Sequence, residues 1–133
     1  MKTTVHWQGD MRFEGITDTG YTTQMDGDGK AISPMESVLV AVGACSSVDV
    51  VEIMKKSRID LRSCRCELQA QRSETAPRVF ESIHAHYVVR GEGIKEHQIA
   101  RAVKLSAEKY CSVMLMLHGS VNITTSYAIE EIA

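Results

Sequence analysis

The stretch Ser33–Val51, SPMESVLVAVGACSSVDVV, decides how the rest of the chain is read. Ser33, Pro34 and Glu36 have the spacing of a capping box with proline at the first helical position, so a helix opens here. From Val38 to Met54 the only polar side chains are Ser46, Ser47, Asp49 and Glu52, with Ser37 just before them. Such a helix lacks a wet face. It belongs at the centre of a fold, wrapped by a sheet or by a partner subunit. A thiol, Cys45, stands in its middle.

Upstream of this helix, turn signals at Gly9–Asp10, Asp18–Gly20 and Asp26–Gly29 punctuate TTVHWQ, MRFEGIT and YTTQM, which are rich in β-branched and aromatic residues. That pattern predicts a three-stranded meander. The DGDGK loop has no glutamate at the twelfth position of a calcium loop, where Ser37 stands instead. Downstream, LRSCRCELQAQ and RVFESIHAHYVVRG alternate with period two around SETAP and predict a long antiparallel hairpin. GIKEHQIARAVKLSAEKY reads as an amphipathic helix and CSVMLML as a short apolar one ended by His118 and Gly119. SVNITTSYAIEEI reads as a last strand. The order βββ-α-ββ-αα-β is that of an α+β protein, and 133 residues suit a single domain, 1–133, with a core of its own.

The totals exclude several classes. A net charge of −2 gives no electrostatic reason to bind nucleic acid or an acidic membrane surface. No apolar run reaches the roughly 18–20 residues needed to span a bilayer. The opening MKTTVHWQGD lacks the apolar core of a secretory signal, so the expected compartment is the cytoplasm. Structural disulfides are rare there. The four cysteines, Cys45, Cys64, Cys66 and Cys111, therefore point to packing, metal or redox chemistry.

On position alone Cys45 reads as a small core residue, since burial in apolar surroundings makes a thiol inert. Cys111 sits where one helix gives way to the next. A place in the first turn of CSVMLML would favour its thiolate through unpaired N–H groups and the helix dipole. Nothing in the spacing shows whether the two meet. Cys64 and Cys66 share one face of their strand, as His84 and His86 share one face of theirs. If the hairpin register joined those faces, four zinc or copper ligands would cluster. GACSS is not the G-x-S-x-G of a nucleophile elbow, so a serine hydrolase is not indicated.

Taken together, SPMESVLVAVGACSSVDVV, LSAEKYCSVMLML and VNITTSY resemble the OsmC/Ohr family, in particular its YhfA-like branch, over most of the chain. The resemblance implies an intertwined α+β homodimer with two long helices buried at its middle. It also implies a thiol-dependent peroxidase acting on small organic hydroperoxides, reset by an external dithiol reductant and needing no metal or organic cofactor. Carried over, Cys45 is the peroxidatic cysteine and Cys111 the resolving one. Val42, Val48, Val113, Met114 and Leu117 would form an apolar wall for the substrate.

The family also activates its first cysteine with an arginine and a glutamate. Arg12 is the only arginine before the central helix, with Lys30 as the other nearby cation, and it takes the arginine's place. The glutamate's usual position, ten residues before the cysteine, holds Met35. Glu36 follows it. Nine residues at about 100° each put Glu36 half a turn from Cys45 and roughly 13 Å along the axis. Glu36 therefore serves a Cys45 only from a dimer partner or through a bend near Gly43, or else it is simply the capping glutamate. These departures keep a second reading open, a non-catalytic dimer that binds a small apolar ligand in the same pocket.

Overall fold

The computed structural model describes residues 1–132. The chain forms β1 (Thr3–Trp7), β2 (Arg12–Thr17), β3 (Thr22–Asp26), α1 (Pro34–Lys56), β4 (Asp60–Arg72), β5 (Phe80–Glu92), α2 (Glu96–Leu105), a π turn (Ser106–Tyr110), α3 (Ser112–Leu117) and β6 (Asn122–Glu130). This is the expected α+β order, with one change. The helix read as continuous to Tyr110 ends at Leu105, and the next five residues widen into the π turn. Two compact units divide the backbone, Met1–Leu39 and Val40–Ala133.

The first unit is the meander, antiparallel in the order β1-β2-β3. Gly9 and Asp10, both at positive φ, turn the chain so that Trp7 faces Phe13. Buried Asp26 accepts the Asp28 N–H at 2.7 Å, so the DGDGK loop spends this carboxylate on its own backbone. The capping box forms as read. Glu36 Oε1 accepts from Ser33 N at 3.0 Å, and Glu36 N donates to Ser33 Oγ at 3.1 Å.

The second unit is a sheet of order β4-β5-β6 with its helices. β4 and β5 are antiparallel, while β5 and β6 are parallel. Parallel neighbours need a crossover, which α2, the π turn and α3 supply. Ile83, Ala85, Tyr87 and Val89, on one face of β5, are buried. Val42, Val50 and Met54 of α1, Ile99, Ala102 and Val103 of α2, and Cys111 and Met114 complete the core. Gly43 lets α1 approach β4 closely, since a Cβ there would lie 2.6 Å from Leu68 Cδ1.

Only one face of α1 is buried, through Val42, Gly43, Ser46, Val50 and Met54. Val40 and Val48 are 56% and 57% exposed, and Ala44 between them is exposed too. A three-stranded sheet covers one side of a helix, so the all-round apolar character is not matched by burial within the chain. By length and composition α1 is also apolar enough to cross a membrane, with a window of mean hydropathy 1.8. Scattered serines leave the average high.

Candidate active site

Both thiol-bearing segments lie in the second unit. Cys45 is in mid-α1, partly exposed, and Cys111 is fully buried. Cys111 is the N-cap of α3 rather than part of its first turn, and its Sγ accepts the Met114 N–H at 3.5 Å. The Cys45 thiol is its neighbour, near enough to act on its titration. Burial pushes the Cys111 thiol up to about 11. The Met114 and Val113 N–H groups oppose this, and the nearby Cys45 adds to it. The expectation of a low-pKa Cys111 is thus overturned. The helix N-terminus acts as argued, but desolvation outweighs it.

Around the pair runs a buried polar chain that the sequence reading missed. Tyr87 Oη donates to Ser46 Oγ at 2.6 Å, and Ser46 Oγ donates back to the Val42 carbonyl at 2.8 Å. Ser106 Oγ donates to the Ser46 carbonyl at 2.9 Å and lies 3.0 Å from Asp49 Oδ2. The π turn closes with Cys111 N donating to Ser106 O at 2.8 Å. A fully buried serine in an otherwise apolar helix was the available signal, because buried hydroxyls need partners.

A family model described as OsmC-like protein matches residues 27–126. The chain belongs to this OsmC-like family. It is 48% identical to Protein YhfA of Escherichia coli (strain K12) over 131 residues, which are 97% of this chain and 98% of that protein. A crystal structure of a hypothetical protein from Aquifex aeolicus VF5 superimposes with TM-score 0.91 and 33% identity, covering 99% of this chain and 97% of that one. An organic hydroperoxide resistance protein OsmC from Legionella pneumophila shares the fold at TM-score 0.73 and 17% identity, covering 96% and 95% of the two chains.

In this OsmC-like chain Cys64 and Cys66 do not meet His84 and His86. Cys66 pairs with Tyr87 and Cys64 with Val89, so the thiols share the face of the buried β5 residues, and the histidines point to the other. There His84 binds Thr124 and Ser126 hydroxyls at 2.7 and 2.8 Å, and His86 binds Ser126 at 2.6 Å. Among the described residues no group of three or more His, Cys, Asp or Glu side chains is placed to hold a metal. Burial pushes Cys66 up to about 11, and the neighbouring Tyr87 and Ser47 hydroxyls oppose it only in part.

The expected apolar wall does not form as one surface. Val42 is fully buried, while Val48 lies on the exposed face. The two are six residues apart, about 240° around the helix. Met114 instead joins Leu115, His118 and Ile123 along a groove of about 440 Å³. A second groove, about 590 Å³, is charged, with Asp49, Glu52, Lys56 and Arg101 beside Tyr110. Arg12 and Glu36 belong to the first unit. The Arg12 guanidinium donates to the Gln8 carbonyl at 3.1 Å, and Glu36 is engaged in the cap, whose Ser33 backbone and side-chain hydrogen bonds lower its pKa.

Proposed function

We propose that this OsmC-like chain is a thiol-dependent peroxidase for organic hydroperoxides, working in the cytoplasm as a homodimer. One observation carries the reading. Cys45 and Cys111, 66 positions apart in sequence, stand side by side in the fold. The partly exposed Cys45 is the attacking thiol. Its thiolate takes the distal oxygen of the peroxide and becomes a sulfenic acid, while the alkoxide leaves and is protonated to the alcohol. Cys111 then condenses with that sulfenic acid. Its proton leaves with the hydroxyl as water, and a Cys45–Cys111 disulfide remains for an external dithiol to reduce.

Arg12 is the guanidinium proposed to favour the Cys45 thiolate, with Glu36 as the carboxylate that orients it. Glu36 lies half a turn from Cys45 on its own helix, so in this proposal it serves the cysteine of the second protomer. Support for a second protomer comes from the exposed apolar line Val40, Ala44 and Val48, spaced four apart on α1.

The test is a thiol count. Reduced protein mixed with stoichiometric cumene hydroperoxide should lose two of its four thiols per chain within seconds, and Cys45→Ser should abolish that loss. If all four thiols survive for many minutes, the peroxidase reading fails and the second one, a non-catalytic dimer that binds a small apolar ligand, is supported.

A further inference from the structure

Ser106 is fully buried, and each of its polar groups has a partner. Its N–H donates to the Ala102 and Val103 carbonyls, which ends α2. Its carbonyl accepts the Cys111 N–H at 2.8 Å, which fixes the position of the second cysteine. Its hydroxyl donates to the Ser46 carbonyl at 2.9 Å, one residue past the first cysteine. A single residue therefore ties the backbone beside Cys45 to the backbone of Cys111. The π turn makes this arrangement. Its extra residue carries Cys111 around to bond with Ser106 rather than with Ala107.

We propose that Ser106 is a positioning residue that holds the Cys45 and Cys111 thiols at bonding separation and so favours the disulfide between them. The inference rests on the peroxidase reading for its purpose, but not for its test. Disulfide closure depends steeply on how the two sulfurs are held, because the bond tolerates only a narrow range of backbone separations. The Ser106 hydroxyl has one proton and two acceptors in reach, the Ser46 carbonyl and Asp49 Oδ2 at 3.0 Å. Whenever Asp49 takes the proton, the tie to Ser46 loosens. Asp49 lines the charged groove with Lys56 and Arg101, so the tie lies next to open solvent.

Ser106→Ala deletes the tie without orphaning a buried group. Alanine has no hydroxyl, and the Ser46 carbonyl keeps its bond within α1. The measurement is the equilibrium of the full chain with reduced and oxidised glutathione, with the Cys45–Cys111 disulfide quantified by peptide mapping. In that exchange one oxidised glutathione becomes two reduced ones as the protein disulfide forms. Ser106→Ala should lower the equilibrium constant roughly two- to tenfold, at most the worth of one hydrogen bond, because without the tie the two backbones must be ordered as the disulfide closes.

Asp49→Asn supplies a second arm. An amide N–H donated to Ser106 Oγ leaves the hydroxyl proton to Ser46, so the constant should rise. An unchanged constant in Ser106→Ala, or an unchanged or lower one in Asp49→Asn, would overturn the inference. If Ser106→Ala does not fold, Asp49→Asn decides: a rise supports the inference, and an unchanged or lower constant overturns it. The peroxide assay is separate. A parent protein that equilibrates with glutathione yet ignores cumene hydroperoxide loses the peroxidase reading and keeps the positioning one. A parent that turns over peroxide with Ser106→Ala at the parent constant loses only the positioning role.

Discussion

Cys111 shows how burial and chain position compete at a single side chain. The start of α3 exerts a real pull toward thiolate, seen in the Met114 N–H aimed at the Cys111 sulfur. That pull is smaller than the desolvation of a fully buried thiol, which ends at about 11. A protonated resolving thiol has a kinetic signature. Below its pKa the thiolate fraction rises tenfold per pH unit, so disulfide closure after peroxide attack should accelerate about tenfold from pH 7 to 8 and again to 9. Stopped-flow single turnovers resolve this phase, and a closure rate flat across that range would contradict it. Replacing Cys111 with serine should leave a Cys45 sulfenic acid that a dimedone-type trap captures. The helix and the position of Cys45 in it were legible in sequence. Desolvation was not, because it depends on which of the later segments cover the thiol.

At the scale of elements, local patterns carried the strands and the capping box, and register decided what they could not. Period-two alternation places Cys64 with Cys66 and His84 with His86. Only the observed pairing of Cys66 with Tyr87 and Gln69 with His84 shows that the two pairs lie on opposite faces. The separation of Val42 from Val48 was already contained in helical geometry. Residues six apart stand about 240° around α1, roughly 120° the short way, and do not share a face. The α1 cap gives a direct check. Ser33→Ala removes the hydroxyl that accepts the Glu36 N–H, and it should cost about 1 kcal/mol in a urea melt, whereas Ser33→Asp should retain most of that. A melt unchanged by Ser33→Ala would mean that the capping box adds nothing to stability.

Over the whole molecule, two consequences follow. The buried Cys111 and half-buried Cys66 thiols bind their protons more tightly folded than unfolded. With Cys66 and Cys111 both at about 11, the unfolded chain loses these protons first as pH rises from about 8.5, and the folded state loses stability until about 11. Below pH 8 that contribution is fully present. Urea midpoints should therefore fall between pH 8.5 and 10.5, and less steeply in Cys66→Val. Equal slopes for the two proteins would contradict this. The second consequence concerns the uncovered face of α1. Val48→Asp, at a position 57% exposed, should shift the protein from dimer to monomer at micromolar concentration in sedimentation velocity. A parent protein already monomeric there would contradict the proposed assembly. The sequence announced this face by its lack of a wet side, but it did not show which half the chain itself would cover.

The most direct measurement of the central claim is mass spectrometry of the protein after one equivalent of cumene hydroperoxide, with peptide mapping of the sulfurs. The account predicts a loss of two mass units per chain and a single Cys45–Cys111 crosslink, absent in Cys45→Ser. An unchanged mass, or a crosslink that joins Cys64 or Cys66 instead, would contradict it.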